Sequence, residues 1–209
     1  MTITKICLVR HGETDWNTQG RLQGSMDIPL NANGIMQAKA CGEHLKEASW
    51  DFVITSPLQR AKNTAEIING KLDVPLIVME EFMERHFGDA EGMTLHDRRA
   101  IFPDKKYPNQ EPMNVFKQRL MSGIQKIEQQ FSESHVLLVA HGAVIDAILS
   151  AFSLEEKAGY TSLENGCISH IHYGERGWQV KGINQIEHLS KIQPNHKFSY
   201  EKEAVTWPS

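Results

Sequence analysis

Three short apolar runs, each stopped by residues able to bind an anion, constrain this chain more than any other feature. Ile6-Cys7-Leu8-Val9 stops at Arg10-His11-Gly12, and Phe52-Val53-Ile54 stops at Thr55-Ser56-Pro57. Val136-Leu137-Leu138-Val139-Ala140 stops at His141-Gly142. A continuous apolar run bounded in this way suits a strand covered on both faces, as in a parallel sheet. Leu76 to Met79 reads as a fourth strand. Between the strands, Leu58, Ala61, Ala65 and Ile68 have helical spacing, with Arg60 in the first turn. Asn31 to Leu45, Met113 to Phe131 and Ala143 to Phe152 are further helices. The second of these sets Phe116, Leu120, Ile124, Ile127 and Phe131 on one face. Alternation of this kind predicts an α/β fold, a three-layer α/β/α sandwich with a mostly parallel central sheet. Cys167 to Tyr173 and Trp178 to Ile183, joined at Gly174-Glu175-Arg176-Gly177, predict a late hairpin with an antiparallel edge strand.

In such sheets ligands sit beyond the carboxyl ends of the strands, so Arg10, His11, Arg60 and His141 are expected to converge. A net charge of -4 and the lack of a Lys/Arg run argue against a nucleic-acid or membrane-surface partner. Met1 to Arg10 reads as neither a signal peptide nor a spanning segment, and a cytoplasmic location is expected. Cys7, Cys41 and Cys167 are an odd, widely spaced set, expected to be reduced packing residues. The 209 residues suit one domain, with its core at about 3–187 and a polar tail at 188–209 that is either loose or an arm against a neighbour. A homodimer through an edge strand is compatible with this reading.

The converging residues suit phosphoryl transfer. A neutral imidazole attacks phosphorus, and two guanidiniums balance the charge on the equatorial oxygens. Because the transition state is largely dissociative, positioning and charge stabilisation suffice, and no metal or cofactor is expected. For an imidazole to attack through Nε2, its Nδ1–H should be fixed by a backbone carbonyl. A departing alkoxide also needs a proton, and the acid that supplies it can then activate water. Glu80, Glu81, Glu84, Asp89 and Glu91 crowd the loop after Leu76–Met79, and spacing alone does not choose among them. Gly12 reads as permitting a tight turn and close approach of backbone to phosphate. His170 and His172 share a strand face without a third ligand at metal-site spacing, which favours a solvated face.

Leu8-Val9-Arg10-His11-Gly12-Glu13-Thr14 resembles the signature of the histidine phosphatase superfamily, in its phosphoglycerate mutase-like branch. Asn17, Gln23-Gly24, Asp27-Ile28-Pro29-Leu30, Ser56-Pro57-Leu58 with Arg60-Ala61 and Thr64-Ala65, and Ala140-His141-Gly142 follow in the family's order. The resemblance implies His11 as phosphorylated nucleophile, with Arg10, Arg60 and His141 as the phosphate pocket and Glu84 as proton donor. It further implies Asn17, Gln23 and Gly24 at the phosphate or substrate, whereas Arg85 either binds a second anionic group or packs and pairs.

Glu84-Arg85-His86 resembles the cofactor-dependent mutases, while the continuation to Glu91-Gly92 resembles the broad-specificity phosphatases. The short stretch from Met93 to Met113 implies a site open to water, which favours a metal-independent phosphatase of small monoesters. A phosphoglycerate mutase and a non-catalytic phosphate-binding module are the alternatives. Two departures are visible. Asn109-Gln110-Glu111-Pro112 replaces the Gly-Gly-Glu-Ser step of many family phosphatases, and Asp146 stands where an Arg is common. The loops at Met26, Arg85 and Lys105 to Pro112 are expected to set the substrate.

Overall fold

In the computed structural model, residues 3–153, 163–190 and 192 are described. They build one six-stranded sheet from β1 (Lys5–Arg10), β2 (Phe52–Thr55), β3 (Leu76–Val78), β4 (His135–Ala140), β5 (Ile168–Gly174) and β6 (Gly177–Gln185). The strand order is β3-β2-β4-β1-β5-β6. Strands β3, β2, β4 and β1 pair in parallel, and the β5–β6 hairpin joins antiparallel beside β1. The helices are α1 (Asp15–Thr18), α2 (Ala32–Leu45), α3 (Gln59–Leu72), α4 (Leu95–Ile101), α5 (Met113–Gln130) and α6 (Gly142–Phe152). Of the suggested C-terminal tail, 188–209, residues 191 and 193–209 lie outside the described residues.

Period-two alternation along each central strand divides the core. Ile6 and Leu8 of β1, Ile54 of β2 and Val136, Leu138 and Ala140 of β4 pack with Phe116, Leu120, Ile124 and Ile127 of α5 and Val144, Ile145, Ile148 and Leu149 of α6. Cys7, Val9, Val53, Leu137 and Val139 turn the other way, against Cys41 and Leu45 of α2 and Ala61, Ala65 and Ile68 of α3. The continuous apolar runs follow from this, since a strand buried on both faces has no solvent side. Each fully buried Leu or Ile contributes about 1.5–3 kcal/mol, so a charge on either face of β4 would break a layer.

Insertion of β4 between β1 and β2 is a switch in strand order, and it opens a crevice where β1 and β4 end. The chain leaving β1 is clamped to α2: Glu13 N–H donates to Gln37 Oε1 at 2.8 Å, and Asn31 Nδ2 donates to Glu13 Oε1 at 2.9 Å. A Cβ on Gly12 would lie 2.4 Å from the Gly34 carbonyl oxygen, so the passing backbone of α2 by itself requires glycine there.

Candidate active site

His11 lies just beyond β1, only 3% exposed, with its backbone N–H donating to the Ala140 carbonyl at 2.9 Å. Its Nδ1 sits 2.7 Å from the Gly12 carbonyl oxygen. A carbonyl only accepts, so Nδ1 carries the proton and Nε2 presents a lone pair. Burial holds the imidazole well below its ordinary pKa, and the Arg60 and Arg10 charges push the same way. His11 is therefore neutral at pH 7, with the tautomer the sequence argument requires. Asn165 Nδ2 donates to the His11 carbonyl at 3.0 Å, and Gly12 N–H donates to Thr64 Oγ1 at 3.1 Å.

His141 follows β4 and opens α6, fully buried, its ring centroid 5.2 Å from that of His11. Its Nε2 lies 2.8 Å from Ser56 Oγ, which itself accepts from the Leu58 N–H at 3.3 Å. We assign the Ser56 hydroxyl as donor to Nε2, which puts the His141 proton on Nδ1. Burial, then Arg60 and His11, keep this second histidine neutral as well.

Arg60, in the first turn of α3, is 1% exposed. Its Nη1 and Nη2 donate to the carbonyls of Met26 and Gly24, each at 2.7 Å. Burial lowers its pKa to about 10, which leaves it charged at neutral pH. Arg10 is tethered through Nη1 to the Leu163 carbonyl. Among the described residues, Arg10 Nε, Arg60 Nε and His141 Nδ1 are buried donors with no protein partner. Each such group costs about 1–3 kcal/mol when left unpaired. Three unpaired donors from the ends of β1 and β4 and the start of α3 are groups from which a tetrahedral oxyanion can accept. Gln23 Oε1 is buried and unpartnered too, and an amide flip would make it a fourth donor.

Glu84 is partly buried beside this pocket, its Oε1 accepting from Arg85 N–H at 2.9 Å and Oε2 from Ala143 N–H at 3.2 Å. Burial raises its pKa, and the opposing pull of the Arg85 N–H and the Arg60 charge does not cancel that rise. A carboxyl with a raised pKa can donate a proton near neutrality. Two competing carboxyls are otherwise engaged. Glu81 pairs with Lys126. Glu91 accepts from Ser25 N–H and Phe87 N–H, both at 2.9 Å, and contacts His86 Nδ1 at 3.0 Å.

The chain's six-stranded α/β architecture carries this pocket at the switch point, and the sequence matches the histidine phosphatase superfamily (branch 1) over residues 6–186. The chain belongs to that superfamily. It is similar to the uncharacterized phosphatase PhoE of Bacillus subtilis (strain 168), 49% identical over 90% of this chain and 98% of that one. It is also similar to the "Probable phosphoglycerate mutase GpmB" of Proteus mirabilis (strain HI4320), 31% identical over 90% of this chain and 96% of that one. Among solved structures, Bacillus stearothermophilus YhfR superposes with a TM-score of 0.82 at 28% identity, covering 89% of this chain and 99% of that one. Because a relative named as a mutase matches nearly end to end, the shortness of the Met93–Met113 stretch does not by itself separate the two activities.

Around the superfamily pocket, the remaining expected residues take more specific places. Asn17 Oδ1 accepts from Thr14 N–H at 3.1 Å and from Asn165 Nδ2 at 3.3 Å, so any ligand contact falls to its Nδ2. Gly24, at φ +54°, acts through its carbonyl on Arg60, and a Cβ there would strike Glu91 Oε1 at 1.9 Å. Arg85 is buried, with Nε and Nη2 donating to the Glu111 carbonyl at 3.0 and 2.8 Å. These bonds tie Arg85 to the 110–111 loop. His170 and His172 are half-buried, and no metal-binding cluster of three such ligands occurs among the described residues.

Sequence reasoning missed Asn165, the contact of Ser56 with His141, and the loop-tying role of Glu91. Asn165 meets His11 from 154 positions away, and no local pattern announces such a contact.

Proposed function

We propose that this histidine phosphatase hydrolyses small phosphate monoesters through a phosphohistidine on His11. The observation that carries the reading is the Nδ1–H bond to Gly12, which leaves a neutral Nε2 nucleophile in the pocket of unpaired donors. In the first step the Nε2 lone pair forms the N–P bond while the ester P–O bond breaks. Glu84 gives its proton to the leaving oxygen, and Arg10, Arg60 and His141 bind the three equatorial oxygens. In the second step Glu84 carboxylate takes a proton from water, whose oxygen attacks phosphorus as the N–P bond breaks. Phosphate leaves, and His11 and Glu84 regain their starting protonation. The two guanidiniums supply the charge a metal would otherwise supply, so the scheme needs neither metal nor cofactor. Three free, buried cysteines support a reducing, cytoplasmic compartment.

A mutase that passes phosphate between hydroxyls of phosphoglycerate shares these residues, and the GpmB likeness keeps that second reading in play. One assay separates them: phosphate release from a panel of monoesters in EDTA, for wild type and His11→Ala, with 3-phosphoglycerate tested with and without bisphosphoglycerate. EDTA-resistant release that vanishes in His11→Ala supports the phosphatase. Isomerisation without release replaces it with the mutase, and binding without turnover replaces it with a phosphate-binding module.

A further inference from the structure

Glu84 hangs from a backbone segment that has little regular structure of its own. It follows a single 3-10 turn, Glu80–Phe82, and precedes the loop of Arg85 and His86. Its carboxylate accepts one N–H of its own loop at 2.9 Å and one from the start of α6 at 3.2 Å. The main chain of the segment is gripped from α5. Arg119 Nη1 donates to the carbonyls of Glu81 at 2.8 Å and Met83 at 2.7 Å, and Nη2 donates to the Glu84 carbonyl at 3.1 Å. The same guanidinium forks onto the Glu111 carboxylate, Nε to Oε1 at 2.7 Å and Nη2 to Oε2 at 2.9 Å. It also lies over the Phe116 ring, 4.9 Å from its centroid.

Beneath it, Gly123 lets the turn sit directly on α5, since a Cβ there would come within 2.8 Å of both Glu81 Cβ and Phe82 Cζ. A solitary exposed Arg–Glu pair contributes little and orders nothing. This one is bidentate, partly buried and shared with three main-chain oxygens, the arrangement for which a planar five-donor guanidinium is suited and an ammonium is not.

We infer that Arg119, held by Glu111, is the positioning residue that sets Glu84 at the leaving-group oxygen. The inference rests on Glu84 being the proton donor proposed above. Because Glu111 also offers its carbonyl to Arg85, the Arg119–Glu111 pair ties the acid and the 110–111 loop into one unit on α5. Arg119 touches no reacting atom. Its loss should therefore weaken proton delivery while leaving phosphate binding and the nucleophile intact.

The test compares kcat/KM, which reports events through leaving-group departure, for an alkyl phosphate and for p-nitrophenyl phosphate. The first leaving group needs a proton, and the second needs little help. Arg119→Met, Arg119→Lys and Glu111→Gln are measured beside wild type, His11→Ala and Glu84→Gln. For Arg119→Met, kcat/KM with the alkyl ester should fall about 30-fold, within the range expected for a misplaced acid, and with p-nitrophenyl phosphate by less than about threefold. Glu84→Gln should show the same selectivity in stronger form. Arg119→Lys should recover little, because it cannot span the carboxylate and the carbonyls together.

Equal losses with both esters, or no loss, overturn the inference. If Arg119→Met fails to fold, Arg119→Lys and Glu111→Gln carry the same comparison. Should wild type hydrolyse neither ester, or should His11→Ala retain activity, it is the phosphatase reading that fails. A His11-dependent wild type with unselective Arg119 variants fails this inference alone.

Discussion

The phosphate pocket and the acid loop are built on different principles. Around His11 and His141, placement comes from the sheet: both residues extend paired strands, both are buried, and a backbone carbonyl sets the tautomer of His11. Around Glu84 to Glu111, placement comes from side chains reaching main-chain oxygens of distant loops, as Arg119 and Arg85 do, and from the Glu91 carboxylate joining Ser25 to Phe87. The first region rests on the buried core of β1 and β4, and the second on a few charged groups. The two meet at Arg60, whose guanidinium donates to the Gly24 and Met26 carbonyls beside the Ser25 N–H that Glu91 accepts from.

The largest expected effect lies in the sheet-built region. His11→Ala should lower phosphate release on the order of 10³-fold or more, because no other buried neutral nitrogen in the pocket presents a lone pair. Its circular dichroism should match wild type, and substantial residual turnover would place the nucleophile elsewhere.

Glu84→Gln comes next, with a loss of roughly 10²–10⁴-fold on alkyl esters and much less on p-nitrophenyl phosphate. Comparison of kcat/KM for the two esters decides this, because that ratio reports events through leaving-group departure, before the water step that Glu84 also serves. A loss independent of the leaving group would move the acid role to another carboxyl.

Glu91→Ala should release Ser25 and Phe87 N–H groups and loosen the Gly24–Met26 carbonyls that orient Arg60. The cost is about 1–3 kcal/mol in urea unfolding and a weakened affinity for inorganic phosphate. Unchanged phosphate affinity would show that the loops and the pocket are independent, contrary to the coupling seen through Arg60.

The smallest effect is on stability against pH. His11 and His141 have folded pKa values well below 6.5, so the unfolded chain binds more protons below that pH and their contribution is lost as pH falls. Between pH 6.5 and 5.5 each histidine costs up to about 1 kcal/mol. Glu84 runs the opposite way: its raised pKa favours the folded state at low pH, and that contribution is lost as pH rises from 4.5 through the folded value. Two histidines outweigh one carboxyl, so Tm should drop from pH 7 to 5.5. His11→Ala should drop less, and an equal drop would remove the buried histidine as a cause.

The sequence makes these two regions unequally legible. Apolar runs ending in Arg10-His11, Ser56-Pro57 and His141 predict both the parallel strands and the meeting of those residues, because periodicity and strand-end position are local properties. The departure at Asn109-Gln110-Glu111-Pro112 is visible too, but its meaning is not. Glu111 matters through Arg119 and Arg85, and Arg119 acts on the carbonyls of residues 81, 83 and 84, which every residue type possesses. Gly12 illustrates the same limit: glycine there announces a close approach, and only the path of α2 shows that the neighbour is Gly34.

The central claim is the covalent step on His11. The direct measurement mixes Glu84→Gln with p-nitrophenyl phosphate, quenches without acid, and maps the modification by peptide mass spectrometry. The phosphoryl group should leave substrate for His11 readily yet wait for a poorly activated water. The account predicts one acid-labile phosphoryl group per chain, on His11, and none in a variant that also carries His11→Ala. Nitrophenol release in the steady state with no phosphorylated protein, or a phosphoryl group on another residue, would contradict it.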